Sequence, residues 1–154
     1  MRIRLPSSVT PPGRVLAALA LALVLLVAPR PAHAREVPSA ILDSYLKIHA
    51  ALAVDRTDGV QAAAKTLASD ARALGATGAK TQQAAARLAA ATDLASARAA
   101  FGELSDAMIA LVGPGARGVK KAYCPMVKKY WLQKGKQIEN PYYGSEMLRC
   151  GSFQ

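Results

Sequence analysis

Apolar and polar positions alternate with the spacing of amphipathic α-helices between residues 38 and 112. The first helix face shows steps of four, three and four: Ile41, Tyr45, Ile48 and Leu52. The same spacing returns in three later segments: residues 60–74, 80–91 and 94–111. Each apolar face needs a partner to exclude water, and the connections are short. The pattern therefore predicts an all-α fold, an antiparallel four-helix bundle.

Capping residues indicate where two of these helices begin. Asp58 precedes the second segment, and Thr92 or Asp93 precedes the fourth, so their side chains are expected to accept hydrogen bonds from free backbone N–H groups. The sequence Gly-Pro-Gly at residues 113–115 is expected to end the fourth helix, because proline cannot continue it.

Residues 1–34 have the organisation of a secretory signal peptide. Arginines precede an apolar run at residues 15–28, and Ala32 and Ala34 form a small-residue cleavage site. That run is shorter than the roughly 20 residues of a transmembrane helix. We expect cleavage, a periplasmic or secreted protein and no transmembrane segment after cleavage. An uncleaved N-terminal anchor is the alternative.

The positive charge of the mature chain is concentrated near its C-terminus. The formal net charge of +10 includes four arginines of the signal segment and falls to +6 without them. Residues 35–112 carry equal numbers of acidic and basic side chains, whereas residues 113–154 carry eight basic side chains against Glu139 and Glu146. No nucleic acid partner is expected, because an exported protein rarely meets one. A solvated basic face is the simpler interpretation.

The C-terminal segment, residues 113–154, is predicted to fold onto the helical bundle of residues 35–112 as an irregular cap within the same domain. It contains six of the eight aromatic residues, whereas disordered segments are poor in them. Asn140 and Pro141 indicate a turn that Gly144 can leave with positive φ. Such a reversal would bring both cysteines together.

The C-terminal motifs carry a family resemblance. The order is C-P-M, then Y-W-L, then I-x-N-P-Y-Y-G-x-x-M-L-x-C-G, over residues 124–151. It resembles a bacterial exported domain of unknown function that also occurs fused to periplasmic adaptors of copper and silver efflux systems. The resemblance implies a helical architecture and heavy-metal handling. A metal efflux adaptor or another periplasmic protein is the partner that it suggests.

Four sulfur side chains form the candidate metal site: Cys124, Met126, Met147 and Cys150. Each cysteine is two or three residues from a methionine, so each pair can converge from a turn or one helix face. Thiolates and thioethers favour Cu(I), and by the same argument Ag(I), over ions that prefer oxygen ligands. His49, the only histidine of the mature chain, is a weaker candidate ligand, since a buried, hydrogen-bonded histidine is the simpler interpretation.

A disulfide between Cys124 and Cys150 is the alternative to a metal site. Two cysteines in a small exported domain are most simply one disulfide. Closing this loop would stabilise the fold by roughly 3 to 4 kcal/mol. The sequence leaves both interpretations open, and oxidation would exclude metal binding by the thiolates.

No motif of a known catalytic mechanism is present. The chain lacks HExxH, CxxC and a glycine-rich phosphate loop. We therefore expect a soft-metal binding protein that is not an enzyme and that acts in metal tolerance or in delivery to an efflux adaptor. The alternative is a disulfide-stapled interaction domain that binds no metal.

Overall fold

A computed structural model describes residues 37–113 and 116–154. The predicted signal peptide, residues 1–34, lies outside these residues. Four helices and three strands follow one another along the chain: α1 (Ser39–Ala53), α2 (Val60–Arg72), α3 (Ala79–Ala89), α4 (Leu94–Val112), β1 (Lys120–Cys124), β2 (Lys129–Gln133) and β3 (Ser152–Phe153). None of the helices in the described ranges is long and apolar enough to cross a membrane.

The four predicted helices are confirmed, and they pack in chain order, α1 on α2, α2 on α3 and α3 on α4. The predicted face of α1 is buried without exception, from Ile41 to Leu52. Phe101 and Met108 of α4 are equally inaccessible, and the Phe101 ring stacks on Tyr45 at 5.1 Å between centroids. Helical periodicity therefore identified the core of this part of the molecule.

One of the two predicted helix caps is correct. Asp93 accepts a hydrogen bond from the backbone N–H of Ser96 at 2.7 Å, and the Ser96 hydroxyl accepts from the Asp93 N–H, which completes a capping box. The Asp58 cap is wrong. Gly59, with φ +75°, is the residue that precedes α2, and the Asp58 carboxylate instead forms an exposed ion pair with Arg56 at 3.1 Å.

The all-α prediction is wrong. The segment expected to be an irregular cysteine-containing cap on a four-helix bundle contains a three-stranded antiparallel sheet, with strand order β2-β1-β3. In the β1–β2 hairpin, Cys124 pairs with Lys129 and Ala122 pairs with Trp131. The fold is mostly helical with a small sheet, rather than purely helical.

The physical reason lies in the length and composition of these segments. Each of the first two strands has five residues, too few for a stable helix, and both contain aromatic side chains that favour strands. Residues 125–128 form the turn between them. β3 contributes only two residues, and it pairs Phe153 with Ala122.

The sheet shares one hydrophobic core with the helices. β2 packs on α4 and also contacts α1. The hydroxyl of Tyr45 on α1 accepts a hydrogen bond from the backbone N–H of Leu132 at 3.0 Å and lies 2.7 Å from the Ser105 hydroxyl on α4. These contacts fix the hairpin, and the cysteine at its tip, against the helices.

Candidate functional site

The two cysteines lie side by side. Cys124, the last residue of β1, is fully buried, and Cys150, just before β3, is half-buried. Their Sγ atoms are 3.9 Å apart, and both are free thiols. Residues that are separated by most of the C-terminal segment thus form one sulfur pair.

The predicted turn at Asn140 brings Cys150 back to the hairpin, and the structure confirms it. The Asn140 side-chain oxygen accepts from the N–H of Tyr142 at 2.8 Å, and its backbone oxygen accepts from the N–H of Gly144 at 3.0 Å. Gly144 has φ +57°, a backbone conformation that glycine adopts at little cost. The chain therefore reverses within a few residues and runs back toward β1.

The side chain of Asn140 also organises the sulfur pair, a role that the sequence did not reveal. This side chain is fully buried, and its amide N–H donates to the backbone oxygen of Cys150 at 2.8 Å. The same side chain also lowers the pKa of the Cys124 thiol by hydrogen bonding to it. An Asn-Pro dipeptide predicts a turn, but it carries no signal for what the amide binds across the fold.

The surroundings of Cys124 favour its thiolate. Burial raises the pKa of this thiol, but several hydrogen bonds stabilise the anion and together lower the pKa below its ordinary value. Their donors are the backbone N–H groups of Val127 and Met126, the Asn140 side chain and the Cys150 thiol. The turn after β1 therefore supplies an anion-binding environment for the buried sulfur.

The pKa of Cys150 is shifted in the opposite direction. Burial raises the pKa of its thiol, and the hydrogen bond to Cys124 and the charge there raise it further. The two sulfurs therefore differ in acidity, and Cys124 is the one that loses its proton more readily.

The two methionines occupy different positions around this pair. Met126 lies in the turn after Cys124, and 60% of its surface is exposed, so its side chain extends into solvent. Met147 is half-buried, and its backbone oxygen accepts from the N–H of Cys150 at 2.9 Å. Met147 is thus built into the turn that carries Cys150, whereas Met126 stands outside the buried pair.

His49 on α1 is buried beneath the C-terminal segment. Its Nε2 donates to the backbone oxygen of Glu139 at 2.8 Å. Burial lowers the pKa of the imidazole, although the Glu139 carbonyl and carboxylate oppose that shift. The ring is therefore neutral at pH 7, and only Nδ1 remains available to another ligand.

A polar clamp joins the turn to the helices. Asp55, at the end of α1, accepts hydrogen bonds from the backbone N–H and the hydroxyl of Ser145, and from Arg98 of α4 at 2.5 Å. These bonds lower the pKa of Asp55 to about 2. A Cβ atom at Gly144 would overlap Asp55 and Arg98, so this turn requires glycine for space as well as for its backbone angle.

The donors available at the site are mainly sulfur atoms. No group of three or more histidine, cysteine, aspartate or glutamate side chains converges within residues 37–113 and 116–154. Structural zinc sites use four such ligands. The donors that the structure brings together here are the two cysteine sulfurs, and sulfur is a soft ligand.

Comparison with known proteins identifies an uncharacterised domain. Residues 41–116 match the model of a family described as a protein of unknown function, DUF3347. The match covers α2, α3, α4 and all but the first two residues of α1, and it ends before β1, so both cysteines lie beyond it. The resemblance predicted from the C-terminal motif is therefore supported only at the level of an uncharacterised domain. No curated protein and no solved structure matched the chain.

Proposed function

We propose that the protein binds one Cu(I) or Ag(I) ion through Cys124 and Cys150, with Met147 and Met126 as additional thioether ligands. The observation that carries this proposal is the pair of free thiols with Sγ atoms 3.9 Å apart. Such a protein would act in heavy-metal tolerance, or in delivery of the ion to an efflux adaptor.

The separation of the two sulfurs suits a shared metal ion. Two sulfurs bonded to one ion at about 2.3 Å are about 3.8 Å apart for a tetrahedral angle and about 4.6 Å apart for a linear one. The observed 3.9 Å lies within this range. The pair could therefore accept an ion with little movement of the backbone.

The acidity of the pair also supports the proposal. Thiolates are the form of cysteine that binds metals, and hydrogen bonds lower the pKa of the Cys124 thiol. The proton that a metal ion displaces from Cys124 is therefore easier to remove than that of an ordinary cysteine.

The expected location and partner belong to the same proposal. The segment at residues 1–34 has the organisation of an export signal, and the C-terminal motif resembles an exported domain that also occurs fused to copper and silver efflux adaptors. We propose a periplasmic protein whose partner is such an adaptor or another periplasmic metal protein. Cell fractionation with mass spectrometry of the mature N-terminus tests this location.

A binding role fits the site better than a catalytic one. Cys124, whose thiol pKa is lowered, is fully buried and therefore shielded from a substrate in solvent. Cys150 is more accessible, but its thiol pKa is raised, which makes it a weaker nucleophile. The more reactive sulfur and the more accessible sulfur are thus different atoms, and we propose that the protein is not an enzyme.

Competition for Cu(I) with a chromogenic chelator tests the metal site. We expect the reduced protein to bind one equivalent without oxygen, and Cys124→Ser or Cys150→Ser to abolish binding. Met147→Leu should weaken binding. Met108→Leu is the matched control, because this methionine is fully buried in the helical core. A parent protein that loses to the chelator at every ratio contradicts the proposal.

A disulfide-stapled interaction domain is the second candidate function, and the same sulfur pair favours it. A disulfide has its sulfurs about 2 Å apart, so oxidation requires an approach of about 2 Å from the observed separation. Alkylation of the freshly isolated protein would then find no free thiol, and reduction would lower its melting temperature. Free thiols in the isolated protein would rule this candidate out.

A further inference from the structure

The tip of the β1–β2 hairpin exposes apolar surface next to the sulfur pair. Three large apolar side chains are exposed in the described part of the chain, and two of them, Met126 and Tyr130, belong to this hairpin. Met126 is the second residue of the turn that follows Cys124, and Tyr130 is the second residue of β2. Methionine and tyrosine are enriched where proteins bind one another.

The same tip carries an uncompensated positive charge. Lys129 has an acidic partner, Asp106, at 3.6 Å, and the Lys121 ammonium lies 4.8 Å from the centre of the Tyr130 ring. Lys128 forms no ion pair within residues 37–113 and 116–154. Lys128 is exposed and lies between the exposed Met126 and Tyr130 in the sequence.

The backbone of Lys128 is in an unfavourable conformation. Its φ is +52°, in the left-handed region that glycine or asparagine adopts more readily than lysine. Asp55 has a similar φ of +59°, but its carboxylate is held by Arg98 and Ser145. Lys128 is the last residue of the hairpin turn at residues 125–128, where a left-handed residue is common. Its conformation therefore belongs to the turn, and asparagine would adopt it at a lower cost.

We propose that Met126, Lys128, Tyr130 and Lys121, here named the hairpin face, form a docking surface for an acidic partner protein. Residues 113–154 carry eight basic side chains against two acidic ones, and Lys121 and Lys128 place two of these positive charges on the hairpin face, which therefore attracts an acidic surface. The inference rests on the proposed function for the metal ion that is carried, and it adds where the partner binds. A partner docked on the hairpin face lies next to the sulfur pair.

Nuclear magnetic resonance without metal tests the docking surface. The reduced, ¹⁵N-labelled protein is titrated with a glutamate-rich peptide that contains leucine, and in parallel with duplex DNA and with phosphatidylglycerol vesicles. We expect the peptide to shift the amide signals of residues 125–130 and to bind more weakly as salt is added. Shifts confined to the helices, or tighter binding to DNA or vesicles than to the peptide, would overturn the proposal.

A pair of charge variants separates a specific surface from a general effect of net charge. Lys128→Asn removes one charge and suits the left-handed backbone, whereas Lys65→Gln removes one charge from α2. We expect Lys128→Asn to be at least as stable as the parent, yet to raise the dissociation constant of the peptide roughly threefold to tenfold. Lys65→Gln should change it less than twofold.

The remaining outcomes also decide the question. Equal losses of peptide affinity in the two charge variants, or a loss of stability in Lys128→Asn, would overturn the proposal. Met126→Gln keeps the length of the side chain and should also weaken binding, because it removes exposed apolar surface. Since no metal is present, a failure here leaves the copper site standing, and a failure of copper binding leaves the docking result standing.

Discussion

The helical part of the protein, residues 39–112, and the C-terminal part, residues 116–154, are stabilised in different ways. The helices bury mainly alanine, leucine and isoleucine, and they match each other through regular apolar faces. The C-terminal part buries two amide side chains completely, Gln133 and Asn140. The comparison indicates that apolar burial in the helices stabilises the fold, while specific hydrogen bonds shape the site.

Gln133 illustrates the second kind of stabilisation. Its side-chain oxygen accepts from the indole N–H of Trp131 at 2.9 Å and from the backbone N–H of Glu139 at 3.0 Å. Its amide N–H donates to the backbone oxygen of Gln137 at 2.7 Å. One amide thus holds a loop without regular secondary structure, and each of these bonds requires its own partner in place.

Replacing the central aromatic residue of the helical part should have the largest effect. Phe101→Ala should lower the free energy of unfolding by about 3 to 5 kcal/mol, because it leaves a cavity where the ring contacts Tyr45 and Tyr142. Urea denaturation measures the change. If Phe101→Ala remains folded, it should keep the lowered thiol pKa of Cys124, because Phe101 donates no hydrogen bond to that thiol.

The only other phenylalanine provides the control for this prediction. Phe153 in β3 is only partly buried, and Phe153→Ala should cost roughly 1 kcal/mol. Equal losses from the two variants would show that the helical part does not dominate stability. A cost below the error of the denaturation curves for Phe101→Ala would mean that α4 is not central to the core.

Replacing Asn140 should have a smaller effect on stability and a larger effect on the site. Asn140→Ala leaves the backbone oxygen of Cys150 and the N–H of Tyr142 without their partners, and it should cost about 2 kcal/mol. It also removes a donor to the Cys124 thiolate, so the pKa of that thiol should rise. The pH dependence of ultraviolet thiolate absorbance measures the shift.

Asn140→Asp sharpens the same test. Aspartate keeps the oxygen that accepts from Tyr142 but cannot donate to Cys150 or to the thiolate. We expect this variant to raise the pKa of Cys124 at least as much as alanine does, since it also adds a negative charge. An unchanged pKa in both variants would mean that the backbone N–H groups alone stabilise the thiolate.

Protonation of Asp55, in the clamp between the two parts, should have the smallest effect, a loss of stability in acid. Hydrogen bonds from Ser145 and Arg98 lower the pKa of Asp55 to about 2, below its value of roughly 3.9 in an unfolded chain. The unfolded state therefore binds the proton more tightly. The stabilisation is fully present above pH 4 and is lost as the pH falls toward 2.

Denaturation curves measured between pH 2 and pH 5 check this prediction. Asp55→Asn should be less stable than the parent at pH 5 and should show a weaker pH dependence below pH 4. If both proteins lose stability in parallel as the pH falls, Asp55 is not the group responsible. Salt should reduce the difference, because the clamp is partly exposed.

The sequence by itself determined the helices and their buried faces. The face of α1 from Ile41 to Leu52, the cap at Asp93 and the end of α4 near Gly113 were all predicted from residues close to one another in the chain. A helix satisfies its backbone hydrogen bonds between residues four apart, so its apolar periodicity depends on residues that are close together in the sequence. The turn at Asn140 and Gly144 was predictable for the same reason.

Only the tertiary structure decided the sheet and the arrangement of the site. The pairing of Ala122 with Phe153 and the contact of Cys124 with Cys150 join residues far apart in the chain, and no local periodicity specifies such partners. The sequence suggested four sulfur ligands, but the fold buries Cys124 and leaves Met126 in solvent. Burial and donor direction depend on long-range packing, and they set the thiol chemistry.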